Sequence, residues 1–431
     1  MSPDCPHMEP GSAVLTCAPV DRPAYRSSLR MAEQAKKFQI GGATQSVCTQ
    51  GSNTREASAM VNRGKQEMGR VPGVLTRWIV VFSGLLIVLG QGWVDAGSPA
   101  DIGPLPPAPV PEDNPLTPEK VELGKLLFFD ARLSADGSLA CVSCHLPDQG
   151  WATHTPLSPA YPTNMERRLS PTLINVAYNK TLLWDGRAGA LEKQALGPIQ
   201  NPLHMNQNLD LLVEKLRAIP DYAKRFQDVF GTPVTSEGLG KALAAFERTL
   251  VTRNAPFDRY LGGDQQAMSE SALRGMELFK GKARCILCHN GPNFTDSQFH
   301  NLGVPAAPLL EHPLVQASLR FDAKRMNVPE YDQVKEDLGR YLVTKEDRDK
   351  GAFKTPTLRN VRQRDPYMHN GIFQSLEDIL DFYDGGGGTV SGKSPLIQPI
   401  GLTIQDKRDL LAFLQSLTGE ISSLSPASFP R

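Results

Sequence analysis

The chain has 431 residues, long enough for two or three domains. Hydrophobic residues make up 40 %, an ordinary share for a soluble globular protein. Lys+Arg and Asp+Glu number 46 each, so no net charge points to nucleic acid, and any steering of a partner rests on a local patch.

Residues 1–67 are polar, lack clear periodicity and hold Cys5, Cys17 and Cys48. The stretch from Met68 reads differently: Arg70 and Arg77 form a positive region, Trp78 to Leu89 is apolar, and Val94-Asp95-Ala96 offers a small-residue cleavage site. This is the layout of a signal peptide over residues 68–96, with export to the periplasm as the expectation. The uncharged run from Trp78 to Val94 is at the short limit for a membrane span, so a retained N-terminal anchor is the alternative. A signal peptide normally begins a chain, and residues 1–67 are therefore expected to be a mis-called start, with translation beginning at Met68.

Residues 97–114 are Pro-rich and predict an extended linker. Thr117 followed by Pro118 reads as the cap and first position of a helix carrying Val121, Leu123, Leu126 and Leu127. The sequence "CVSCH" follows, from Cys141 to His145. Two central segments, "LDLLVEKLRAIPDYAKRFQDVF" and "TSEGLGKALAAFERTLVTRN", place apolar residues at helical spacing. Then "SESALRGMELFKGKARCILCH" repeats the earlier arrangement: a Ser-capped amphipathic helix, a short loop and a second motif, from Cys285 to His289. A last amphipathic helix is expected near "IQDKRDLLAFLQSLTG". No run of alternating strand pattern is evident, so the predicted fold is mainly α.

C-x-x-C-H is the attachment signature of a c-type haem. Two thiols at this spacing reach the two vinyl groups of one porphyrin, and the adjacent His becomes an axial ligand. A zinc site or a thioredoxin-like redox pair also uses C-x-x-C, but neither needs a His after both pairs. Removal of the leader would leave four cysteines, all in these motifs, with none for a disulfide. The expected architecture is two cytochrome c-like helical domains, at 115–262 and 263–420, each binding one covalently held haem. Cys141, Cys144 and His145 would serve the first, and Cys285, Cys288 and His289 the second.

The stretches "SPTLINVAYNKTLLWDGRAGALEKQALGPIQNP" and "FKTPTLRNVRQRDPYMHNGIFQSLEDILDFYDGG" resemble the bacterial dihaem cytochrome c peroxidase and MauG family. The likeness covers roughly residues 110 to 420. It implies that hydrogen peroxide reacts at the N-terminal haem, while the C-terminal haem stores or relays electrons. Trp184 matches the family's Trp between the haems, and Gln194 a distal-pocket glutamine. The family's peroxidases carry Glu before the Met of "NPxEM"; here "NPLHM" puts His204 there. An imidazole with a pKa of roughly 6.5 suits proton transfer at neutral pH, but it also suits iron ligation. Both roles stay open on sequence grounds.

Other matches concern ligands. The sixth ligand of the second haem is a Met in many members, fourteen residues after the His of "PYxH"; from His369 this count reaches Tyr383, as in MauG-type proteins. His300, His312 or a Met are the alternatives. A phenolate favours higher oxidation states where a thioether favours ferrous iron. The distal His of the peroxidases falls at Tyr161, so that ligand is missing, with His154 a substitute in the same loop. An open first haem is the expectation. A calcium ion is common in the family, but its Asn ligand is replaced by Leu169; carbonyls near Arg364 and Pro366 remain.

The resulting expectation is a periplasmic dihaem peroxidase. Its electron donor would be a small c-type cytochrome, a cupredoxin or another protein, and Tyr383 favours MauG-like oxidation of a protein donor. A homodimer is one option. A non-enzymatic dihaem electron carrier and a zinc-binding structural protein are the competing classes.

Overall fold

The structure, a computed structural model, describes residues 101–161 and 164–421. The leader-like segment 68–96 and residues 1–67 lie outside the described residues. Eleven α-helices are found among the described residues. They are α1 (Pro118–Phe128), α2 (Leu191–Gln200), α3 (Leu209–Arg217), α4 (Pro220–Phe230), α5 (Ser236–Glu247) and α6 (Pro256–Leu261). In the second half come α7 (Glu270–Lys280), α8 (Pro313–Arg325), α9 (Tyr341–Thr344), α10 (Leu376–Asp384) and α11 (Ile404–Ser416). None is long and apolar enough to cross a membrane.

Local chemistry sets the helix limits. The Thr117 hydroxyl accepts from the Lys120 N–H at 3.2 Å and caps α1, with Pro118 at the first position. Ser269 caps α7 in the same way. The long apolar segment 209–230 is two helices rather than one. Pro220 cannot continue α3 and instead opens α4.

Among the described residues, strand is limited to two antiparallel pairs, β1 (Pro159–Ala160) with β2 (Asn164–Met165) and β3 (Phe299–His300) with β4 (Phe353–Lys354). Two residues are too few to show alternation, so no strand signal is legible in the sequence.

All described residues belong to one compact unit that holds two main apolar cores. The first gathers Leu123, Leu126, Phe128, Trp151, Leu243 and Phe246; the second gathers Phe257, Phe279, Phe294, Leu410, Phe413 and Leu417. The segment around Gly103 is extended but pinned: Ile102 is buried in the second core, and the Gly103 carbonyl accepts from Arg359 at 2.9 Å. Asn114, fully buried, donates to Glu192 and to the Lys241 carbonyl.

The internal repeat is expressed in three dimensions. In the first half α1 crosses α5 at Gly124, where a Cβ would stand 1.9 Å from the Ala242 carbonyl oxygen. In the second half α7 crosses α11 at Gly275, where a Cβ would stand 1.9 Å from the Asp409 carbonyl oxygen. One turn on, Phe128 meets Phe246 and Phe279 meets Phe413, both at 5.1 Å between ring centroids. Each crossing brings two backbones together closely enough that only glycine fits.

Candidate active site

Each C-x-x-C-H segment is one tight turn. His145 N–H donates to the Cys141 carbonyl at 3.1 Å, and His289 N–H to the Cys285 carbonyl at 2.8 Å. The turns set the two thiols and the imidazole of each motif on the wall of one continuous cavity of about 930 Å³. All four thiols are free. Burial pushes the Cys144 and Cys285 thiols up to about 12, and raises Cys141 as well. Burial thus keeps Cys141, Cys144 and Cys285 as neutral thiols on an apolar wall.

The two histidines are oriented identically. His145 Nδ1 is 3.2 Å from the Trp151 carbonyl oxygen, and His289 Nδ1 is 3.0 Å from that of Phe294. Trp151 and Phe294 both adopt positive φ, of 55° and 52°, which turns their carbonyls onto the rings. Burial lowers each imidazole to about 4. Neutral rings whose Nδ1–H is taken by a carbonyl present a bare Nε2 to the cavity, as a metal-binding histidine requires.

A porphyrin also brings carboxylates, which need cations. Lys354 and Arg364 line the cavity, are buried, and have no acidic ion-pair partner among the described residues. Burial lowers them to about 8 and about 10 respectively. The Arg364 Nε and the Arg167 Nε and Nη2 donate to no hydrogen-bond acceptor. Four thiols, two bare imidazole nitrogens and under-partnered buried cations fit two haem groups.

The remaining sequence candidates are placed as follows. Gln194, on α2, lines the cavity, as do His204, Trp184 and Tyr383. The Trp184 indole N–H donates to the Leu169 carbonyl at 2.7 Å, while the Trp184 carbonyl accepts from Lys354 N–H at 2.8 Å. Trp184 is thus tied to both halves. Tyr383 lies beside the second motif; burial, and then Cys288 and Cys285, push its phenol above the usual range. His300, also on the cavity wall, is paired with Asp296 at 2.8 Å, and His312 caps α8 away from the cavity. His154 is exposed and, like Tyr161, is not among the residues lining the cavity. Leu169 is buried, and its carbonyl accepts the Trp184 indole N–H.

Several cavity residues carried no sequence signal. Glu166 stands against His204, with Oε1 2.8 Å from Nε2. Glu247, 5 % exposed, has an unpartnered Oε2, and burial raises its carboxyl to about 8. Between the halves lies a lattice of three cations and three anions, all buried but the half-buried Arg187. Arg168 holds Asp185 at 2.7 Å and Asp337 at 2.5 Å, Arg167 pairs with Asp322, and Arg187 contacts Asp185 at 3.1 Å. Burial opposes these charges, but the arginines hold the Asp337 carboxyl far below its usual range.

Two equivalent haem crevices opening on one cavity, in a mainly α chain, define a dihaem protein. A family model described as di-haem cytochrome c peroxidase matches residues 118–266. The cytochrome-c peroxidase IdrP1 of Denitromonas iodatirespirans is 45 % identical over 324 residues, 74 % of this chain and 86 % of the relative. The methylamine utilization protein MauG of Methylorubrum extorquens is 40 % identical, covering 75 % of this chain and 84 % of its own. A crystal structure of a MauG-like protein associated with microbial copper homeostasis matches with a TM-score of 0.63 and 32 % identity, over 73 % of this chain and 94 % of that one. The chain belongs to the dihaem cytochrome c peroxidase family, which includes the MauG-type proteins. It is a peroxidase-type oxidoreductase that uses two haems.

Proposed function

We propose that the chain is an exported, periplasmic peroxidase that reduces hydrogen peroxide beside the first motif, with electrons delivered through the second. Cys141 and Cys144 would hold the first haem covalently and Cys285 and Cys288 the second, with His145 and His289 supplying nitrogen ligands to the irons. The observation that carries this reading is the single cavity, in which His204 lies by the first motif, Tyr383 by the second and Trp184 between the halves.

The bound haems supply the iron at which the O–O bond breaks and the store of redox equivalents that this requires. The protein supplies the rest. Breaking the bond heterolytically requires a proton to leave the inner oxygen and reach the outer one. His204, with two ring nitrogens, performs that transfer, and the Gln194 amide orients the peroxide by hydrogen bonding. With His154 exposed and Tyr161 off the cavity wall, no described residue of the 146–161 loop competes for the first iron. The Trp184 indole, packed against both halves, is the route for electrons. Tyr383 would ligate the second iron, and a phenolate there would favour oxidation of a protein donor of the MauG kind over exchange with a small c-type cytochrome or cupredoxin.

The test is the EPR spectrum of the oxidised holoprotein before and after one equivalent of hydrogen peroxide. A high-spin and low-spin pair, with the high-spin signal lost on addition, is the expected result. Two low-spin signals indifferent to peroxide would make the protein a dihaem electron carrier.

A further inference from the structure

The first cavity wall contains a carboxylate that the reading above leaves without a task. Glu166 Oε1 lies 2.8 Å from His204 Nε2, and the two side chains are 15 % and 26 % exposed. Oε1 is buried and accepts no aligned hydrogen bond from any group. Of the neighbouring cations, Arg168 is held by Asp337 and Asp185, and Arg167 turns its Nη1 to Asp322. His204 is the cation-forming group that faces Glu166 Oε1 directly.

The backbone supports the same pairing. Glu166 directly follows β2, and its N–H donates to the Ser158 carbonyl at 3.0 Å, which closes the β1–β2 hairpin. From the same hairpin Tyr161 N–H donates to the His204 carbonyl at 2.8 Å. One short hairpin thus grips His204 twice, once by its main chain and once by its side chain.

The chemistry follows from the two ring nitrogens. A carboxylate facing Nε2 keeps the proton on that nitrogen, and a protonated nitrogen cannot bond a metal. Nδ1 then carries the lone pair and can act as a base. We propose that Glu166 is a positioning residue that holds His204 off the first iron and fixes its tautomer, keeping the peroxide side open. This rests on the reading of His204 as the proton-transfer group. It is the same logic by which a buried carboxylate orients a catalytic imidazole in hydrolytic triads.

The test uses the oxidised holoprotein and compares wild type, Glu166→Ala, His204→Ala and the double variant by EPR and by stopped-flow reaction with hydrogen peroxide. Glu166→Ala releases His204, so a new low-spin signal should replace part of the high-spin one, with a fall of ~10-fold or more in the peroxide rate. The new signal should vanish in the double variant. Should Glu166→Ala fold poorly, Glu166→Met keeps the volume without the acceptor and carries the same expectation. A high-spin signal unchanged in the substituted protein overturns the proposal. A wild-type low-spin signal that His204→Ala converts to high spin also overturns it, because His204 would then already be a ligand. A wild type with an open first site that does not react with peroxide instead overturns the functional reading and leaves the spin-state comparison standing.

Discussion

The Trp184 indole N–H donates to the Leu169 carbonyl oxygen, and the Leu169 N–H donates in turn to the carbonyl of His369. The indole is therefore fixed by first-half and second-half backbone at once. Trp184→Phe keeps an aromatic body but leaves the Leu169 carbonyl unpaired, at a cost of about 1–3 kcal/mol. The first haem should still respond to peroxide, while the second should respond roughly tenfold more slowly or worse. Stopped-flow absorbance, following the two haem bands separately, checks this. Equal rates in wild type and variant would remove Trp184 from the electron route.

Gly124 and Gly275 should fail in parallel. Alanine at either site forces a methyl group to within 1.9 Å of a helix carbonyl, and the helices must part. Each substitution is expected to cost about 1–3 kcal/mol, read as a lowered denaturant midpoint. Gly189 and Gly197, with nothing near a built Cβ, serve as controls and should tolerate Ala.

Glu247 predicts a slope of stability with pH. The unfolded carboxyl releases its proton near the ordinary 4.5, whereas the folded one holds it to about 8. Between these values the folded state binds more protons, so stability falls as pH rises. Glu247→Gln keeps the neutral shape and removes the slope. Thermal midpoints of variant and wild type should agree near pH 5 and differ by a few degrees, in favour of the variant, near pH 8. The equivalent place in the second half, after Phe413, is the buried Leu414.

Tyr383→Met exchanges a phenol for a thioether beside the second motif. The reduction potential of that haem should rise by on the order of 0.1 V in a spectroelectrochemical titration. A potential that stays put would show that Tyr383 packs against the haem without ligating it.

How much of this the sequence disclosed depends on where the information sits along the chain. The two C-x-x-C-H motifs concentrate their chemistry in five consecutive residues, and the Gly-x-x-x-Phe spacing in α1 and α7 repeats, so both haem crevices and the mainly α fold were legible. The Pro220 break was also written there, but a continuous apolar period across it masked the end of α3. Glu166, by contrast, sits in "MERRLS", a charged stretch with no period, and meets His204 only through the pairing of two-residue strands beside it. The same stretch conceals Arg167 and Arg168, which read as surface charge and are in fact buried. Trp151 and Phe294 look like ordinary core aromatics. Their service to His145 and His289 comes from carbonyls and positive φ, which no side-chain pattern displays.

The lattice of Arg167, Arg168 and Arg187 with Asp185, Asp322 and Asp337 reaches from the loop before α2 to α8 and the segment beyond it. Sliding one half against the other would strand charges in a medium that cannot solvate them, a penalty of several kcal/mol per ion. Electron tunnelling decays exponentially with separation, so a hinge between two redox centres would make the rate fluctuate with every opening. These six side chains oppose such a hinge, and on the proposed reading they would serve as a ruler for the gap between the two centres.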